Sequence, residues 1–153
     1  MAKHVGVKLS EDLLELLEKG TTVAVLATFS EKGVPNTTPI QCMYPKGVES
    51  ILMTIHKNHT GYQNMVWQKK VMLSFMDSEN IAYSILGRAG VVKAPSHVHP
   101  LMNVVRIDII DIKSDRSVLT RITSGVKWEY ASWEAEEFSK ALLQELKDLS
   151  RAL

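Results

Sequence analysis

The feature that most constrains the fold is a series of short apolar segments separated by turn residues. The segments are rich in β-branched side chains and are shorter than most helices, which is typical of strands. Six strands are predicted, over residues 21–29, 34–44, 50–55, 71–76, 81–92 and 103–112. Six strands at short spacing predict a mainly β fold, a small antiparallel barrel flanked by helices.

Two helices are predicted at the ends of the chain. The first begins at Ser10, a good N-cap residue, and runs over 10–19 before Gly20 stops it. The last helix follows Ser132 over about 132–152, and four apolar residues recur on one face: Phe138, Leu142, Leu146 and Leu149. The barrel then occupies about 21–131 of a single domain over 1–153, with Val118–Ala131 as further strand or an irregular pair.

Composition excludes several classes of protein. The chain has 153 residues, of which 45% are hydrophobic and 23% charged, and this suits one globular domain. A formal net charge of +1 gives no long-range attraction to nucleic acid or to an anionic membrane. The single cysteine, Cys42, allows neither an intrachain disulfide nor a Cys-rich zinc site. No apolar run reaches membrane-spanning length, so a cytoplasmic location is expected.

Glycine and proline mark irregular places in the predicted sheet. Pro35 and Pro39 lack the backbone donor that a central strand needs, so the second strand is predicted at an edge or a bulge. Such a strand either opens the sheet toward a ligand or only protects an edge against aggregation. Gly33 is predicted to take a positive φ in the first hairpin turn, and Gly87 and Gly90 indicate a bulge in the fifth strand.

A polar loop between the third and fourth strands is the best candidate for a binding site. It runs from His56 to Gly61 and opens a short helix predicted over Thr60–Lys69. The first turn of a helix has backbone N–H groups without intrahelical partners, and these groups suit an anion such as phosphate. The sequence therefore predicts an anion site at this loop.

The order of these segments resembles a known family. VAVLAT, a turn with Gly33, PNTTPI, a strand, a polar loop leading into YQNM, VMLSF and GRAGVV follow one another between Leu9 and Val92. This order is similar to that of the FMN-binding split-barrel proteins, which include pyridoxamine 5′-phosphate oxidase. The resemblance implies a six-stranded Greek-key barrel and a homodimer with FMN at the interface. It also implies an oxidoreductase whose substrate is unknown.

The resemblance also implies which residues hold the cofactor. Gln41 and the backbone of 39–41 would hydrogen-bond the flavin ring, and the third strand would pass beneath it. The helix-opening loop would hold the phosphate, and Arg88 lies on a strand that often crosses to the partner. The full set is Thr28, Pro39, Ile40, Gln41, Thr54, Ile55, His56, Lys57, His59, Thr60, Gly61, Asn64 and Arg88.

The loop departs from the family pattern in its charge. Many members carry Lys or Arg where this chain has Thr60 and Gly61, and Lys57 is the nearest lysine. A charge-assisted hydrogen bond contributes about 1.5–3 kcal/mol, or roughly ten- to a hundred-fold in affinity. The alternative is a non-enzymatic split barrel that uses the same groove for haem or a deazaflavin, or that binds no cofactor.

The other candidate residues give weaker evidence for a functional site. His97 and His99 form a His-x-His pair that could bind metal with His56 or His59, but no acidic ligand is nearby in sequence, so no metal site is predicted. Cys42 is interpreted as a small buried residue. No catalytic residue can be named from spacing.

The last third of the chain is the expected source of substrate or dimer contacts. It contains Trp128, Tyr130, Trp133 and the C-terminal helix.

Overall fold

A computed structural model describes residues 3–152 and shows one antiparallel sheet with three helices. None of the helices within this range is long and apolar enough to cross a membrane. In chain order the elements are β1 (Lys3–Gly6), α1 (Glu11–Lys19), β2 (Ala24–Phe29), β3 (Pro35–Ile40), β4 (Met43–Lys46), β5 (Ser50–His56), α2 (Thr60–Trp67), β6 (Lys70–Asp77), β7 (Ile81–Lys93), β8 (Met102–Ser114) and α3 (Trp133–Ala152).

The strand order explains why the sheet curls. Hydrogen-bonded neighbours follow the path β3-β2-β6-β7-β8-β5-β4, and β1 pairs with β8 beside this path. The two ends of the path, β3 and β4, are joined only by Gln41 and Cys42. A link this short spans at most about 11 Å, so the two edges of the sheet must approach each other. The predicted mainly β split barrel with flanking helices is confirmed.

Alternating side chains build the core inside the curl. Leu26 on β2, and Leu73 and Phe75 on β6, are fully buried and point to the inner face. On β5 both faces are buried, because α3 covers the outer one. There Leu52 of β5 and Val104 of β8 pack against Leu146 of α3.

The sequence prediction was wrong about the number of strands. The predicted strand over 34–44 is two strands, because the chain leaves β2 after Ile40 and crosses to pair with β5. One straight strand cannot pair with both ends of the path. β1 was not predicted, since its four residues are all exposed and show no alternation. The prediction of further strand or an irregular pair over 118–131 was also wrong, because this segment has no strand and no strand pairing.

Two predicted backbone features are present. Gly33 has a φ of +76° in the β2–β3 turn. The β7–β8 register shifts between Leu86 and Gly87, as predicted for a bulge. A Cβ on Gly87 would clash with Ile107 Cγ2, so only glycine fits at this crossing without movement of a neighbour.

Residues 115–132, here called the arm, connect the sheet to α3 without regular structure. Asn80 N donates to Ile122 O and Ile122 N donates to Asn80 Oδ1, each over 3.0 Å. Further along, Trp128 Nε1 donates to Thr21 O over 3.1 Å, beside the end of α1. These bonds hold the middle and the end of the arm, and Arg116 at its start donates to Asp12. The arm carries the chain across one end of the barrel.

α3 is fixed onto the sheet by apolar contacts and by one buried carboxylate. Leu142 and Leu146 are buried, in agreement with the predicted apolar face. Glu145 has a fully buried side chain that accepts hydrogen bonds from Ser96 Oγ and from His97 N, the latter over 2.9 Å. These bonds join α3 to the loop between β7 and β8.

Candidate functional site

A cavity of about 250 Å³ lies between the barrel and α3. One wall is formed by the β3–β4 link and the end of β5, and the other by the arm and α3. The lining residues are Gly20, Pro39, Ile40, Gln41, Cys42, Thr54, Ile55, His56, His59, Met102, Trp128, Tyr130, Ser139, Lys140, Leu142 and Leu143.

The first wall contains most of the predicted flavin-ring residues. The curl of the sheet places the end of β3 beside the end of β5, although these strands lie near opposite ends of the hydrogen-bonded path. Seven of the predicted cofactor residues line the cavity: Pro39, Ile40, Gln41, Thr54, Ile55, His56 and His59.

Three predicted residues of α2 and one of β2 are not among the described lining residues of the cavity. Asn64 Nδ2 donates to Thr28 Oγ1 over 3.1 Å, and both residues are buried. This bond ties α2 to β2, which is a structural role. Thr60 is exposed at the first helical position, whereas Gly61 is buried against Leu26 and the His59 ring.

Two predicted cationic residues lie elsewhere. Lys57 is exposed in the loop, where its backbone N donates to Leu101 O. Arg88 is exposed on β7, in register with Lys70 and Asp108 of the neighbouring strands. Neither is among the described lining residues, so a cofactor role for Arg88 would require a second copy of the chain.

His59 holds the start of α2. Its Nδ1 accepts a hydrogen bond from Gly61 N over 2.9 Å, which makes this side chain the N-cap of the helix. Since Nδ1 is the acceptor, the proton of the neutral ring lies on Nε2, which donates to Thr38 Oγ1 over 3.0 Å. Both ring nitrogens therefore already have protein partners.

His56 is placed differently. Its Nδ1 accepts from Asn58 N over 3.1 Å, so the neutral ring carries its proton on Nε2. The residue lines the cavity. It can therefore offer a ligand a directed N–H donor.

The lining of the cavity includes a thiol and a hydroxyl, those of Cys42 and Thr54. Burial raises the pKa of the Cys42 thiol to about 11, against a weaker opposing effect of the Thr54 hydroxyl. The thiol is therefore protonated at neutral pH and is a poor nucleophile. Thr54 Oγ1 is buried, and among residues 3–152 it has no strong hydrogen-bond partner. Only the Cys42 thiol, a weak hydrogen-bonding group, interacts with it. Leaving such a group unsatisfied costs about 1–3 kcal/mol, which a ligand bound here could recover.

Charge and aromaticity of the second wall indicate the kind of ligand. Within the described residues, the lining includes no carboxylate, and Lys140 is its one lysine or arginine. Trp128 and Tyr130 meet edge to face, with ring centroids 5.0 Å apart. Aromatic rings and a cation suit a planar ligand with negative charge.

The sequence pointed to the last third of the chain, including Trp128, Tyr130 and the C-terminal helix, but not to the residues of α3 that line this wall. Ser139, Leu142 and Leu143 line the cavity and share a face at i, i+3 and i+4. That spacing was visible in the sequence. The element packed against this face was not, because it is set by the fold.

A curled antiparallel sheet of this strand order, with a cavity beside β3 and β5, is the architecture of a split-barrel protein. The family model for pyridoxamine 5′-phosphate oxidase matches residues 9–126, and the chain belongs to this family. Among curated proteins, no significant match is found.

Solved structures share the fold at low sequence identity. A protein assigned as a pyridoxamine 5′-phosphate oxidase from Lactobacillus delbrueckii has a TM-score of 0.62 and 22% identity, covering 72% of this chain and 98% of that one. HupZ from Group A Streptococcus has a TM-score of 0.61 and 17% identity, covering 78% and 99%. An F420 reductase has a TM-score of 0.55 and 16% identity, covering 64% and 94%.

These comparisons divide the cavity into two parts. The first wall lies within the family match, which ends at residue 126. Trp128, Tyr130 and the lining residues of α3 lie beyond it. The second wall is thus not part of the segment that defines the family.

Proposed function

We propose that the protein binds FMN in the cavity and acts as a flavin-dependent oxidoreductase. The observation that carries the proposal is the convergence of the seven predicted cofactor residues on one cavity. The residues come from two strand ends and one helix start, which only the curled sheet brings together.

The residues present fit a flavin ring. Gln41 and the backbone beside it offer hydrogen-bonding groups, His56 offers an N–H donor, and Thr54 has a hydroxyl that lacks a full partner among the described residues. When bound, the flavin supplies the electron-transfer chemistry, while the protein orients the ring and excludes water.

The start of α2 is the proposed place for the phosphate. Gly61 N is already bonded to His59, and Gln63 N is bonded to His59 O. Backbone N–H groups of Thr60 and Tyr62, the exposed Thr60 hydroxyl and the helix dipole are the groups suited to an anion.

The proposal includes a homodimer. Ligand pockets usually have volumes of about 300–1,000 Å³, and one chain encloses about 250 Å³, so a second copy is proposed to complete the site. Exposed apolar side chains support an interface: Val118 is 96% and Leu119 is 88% exposed on the arm. Light scattering should give twice the chain mass of 17.1 kDa, and a monomeric mass with flavin bound would contradict this part of the proposal.

FMN titration with a matched pair of variants tests the site. Thr54→Val removes the incompletely bonded hydroxyl while keeping the shape, so it should leave the stability of the flavin-free protein unchanged or higher. FMN affinity should fall roughly two- to ten-fold, the effect of one neutral hydrogen bond. Thr37→Val, on an exposed position of β3, is the control and should bind FMN like wild type. Equal affinity for all three proteins would place the flavin elsewhere.

A deazaflavin is the second candidate ligand. The start of α2 lacks a lysine or arginine at Thr60 and Gly61, and one structural neighbour is an F420 reductase. Parallel titrations with F420 and with FMN separate the two ligands. FMN should bind at the lower concentration, and tighter binding of F420 would favour the deazaflavin.

A further inference from the structure

The one lysine of the described cavity lining lies in a part of the chain that the family match does not include. Thr60 and Gly61 carry no charge, and Lys57 points from an exposed loop position outside the described lining. We propose that Lys140 of α3 supplies the positive charge for an anion held beside the uncharged donors at the start of α2, whose N-cap His59 lines the same cavity. Lys140 thereby selects a planar ligand that carries a phosphate or carboxylate. The inference rests on the proposed function in taking FMN as that ligand.

The electrostatics of the lining favour this role. Lys140 faces a cavity whose described lining contains no carboxylate, so within the cavity its charge is not neutralised. Among residues 3–152, its one ion-pair partner is Glu136 on the same helix, with Nζ and Oε2 3.9 Å apart. Both side chains are more than a third exposed, and pairs of this kind contribute little, so the ammonium group can exchange Glu136 for a ligand anion.

The position of Lys140 is fixed by the packing of α3. Leu143, on the next turn of α3, packs closely on Gly20. A Cβ built on Gly20 would lie 2.6 Å from Leu143 Cδ2. One turn further on, Leu146 is fully buried and Glu145 is bonded to the β7–β8 loop. The helix therefore keeps residue 140 beside the cavity, although the side chain itself is flexible.

A comparison of FMN with riboflavin tests the inference directly, because the two share the ring and differ by the phosphate. Wild type should bind FMN about ten-fold more tightly than riboflavin; the lower end of the range for a charged hydrogen bond applies because the Lys140 side chain is 60% exposed. Lys140→Gln should remove most of this preference, leaving what the uncharged donors at the start of α2 contribute, and should keep riboflavin affinity. Lys147→Gln, on the same helix but over the Tyr44 ring, should retain it. In wild type the preference should shrink as salt rises.

The outcomes separate the two claims. FMN bound with the same preference over riboflavin in Lys140→Gln would overturn the role of Lys140 and leave the proposed function standing. If neither flavin binds, the proposed function fails. The role of Lys140 is then tested by comparing the affinities of benzoate and benzamide, which share a planar ring and differ in the negative charge. A benzoate preference lost in Lys140→Gln but kept in Lys147→Gln would support the anion site, and no preference in wild type would overturn it.

Discussion

The buried carboxylate of Glu145 gives the sharpest prediction about how the second wall is held. Its side chain is fully buried, and its oxygens accept bonds from Ser96 Oγ and from His97 N over 2.9 Å. His97 Nδ1 lies 2.8 Å from Oε2, and Lys93 Nζ lies 3.6 Å from the same oxygen. Glu145→Ala leaves these donors without their acceptor and creates a cavity under α3.

The expected loss follows from these contacts. Removing one partner of a buried, hydrogen-bonded charge destabilises a protein by about 3–5 kcal/mol. For a chain of this size that corresponds to a Tm lower by roughly 6–20 °C. Glu145→Gln keeps one acceptor oxygen and should lose less, about 1–3 kcal/mol.

Urea unfolding followed by circular dichroism measures the free energy of unfolding for each variant. Glu137→Ala is the control, because Glu137 is exposed on the same helix and its loss should stay within about 0.5 kcal/mol. If Glu145→Ala were no less stable than Glu137→Ala, α3 would not be docked through this carboxylate, and the account of the second wall would be wrong.

Three further predictions follow from local geometry. Burial raises the pKa of the Cys42 thiol from 9.0 to about 11. Its thiolate fraction at pH 8 is therefore roughly a hundred-fold smaller than that of an unperturbed thiol, and its reaction with iodoacetamide should be slower by the same factor. A rate equal to that of an unperturbed thiol would contradict its burial. Burial pushes the pKa of Asp12 up, but bonds from Ser10, Tyr83 and Leu13 and the charge of Arg116 outweigh it and lower the pKa. The stability advantage of wild type over Asp12→Asn should thus be full above about pH 5 and shrink as the pH falls below about 4 in urea titrations, and a constant advantage would count against this cluster. Gly87→Ala should lose about 1–3 kcal/mol in urea unfolding because of the contact with Ile107, whereas a Cβ on Gly90 meets nothing within 4 Å, so Gly90→Ala should lose clearly less; equal losses would refute the close crossing.

The sequence predicted the strands well where local pattern and tertiary packing agree. β2, β6 and β7 carry β-branched residues with inward alternation, and their predicted positions match within three residues. The break at Gln41 and Cys42 was missed, because residues on both sides favour extended backbone. Only pairing with two different strands shows that the chain turns there.

The candidate site was predictable on one side of the cavity. Family resemblance pointed to the ends of β3 and β5, and these residues meet. Lys140 carried no local signal, because a lysine on an amphipathic helix is ordinarily a solvated residue. Its proximity to the cavity depends on Glu145 and on the path of the arm, and both are long-range features.

The absorption spectrum of the protein as purified, with FMN added back at micromolar concentration, tests the central claim most directly. A flavin site in this cavity predicts the visible bands of oxidised flavin, at about one FMN per chain after back-titration. Colourless protein that takes up no FMN under these conditions would contradict the claim.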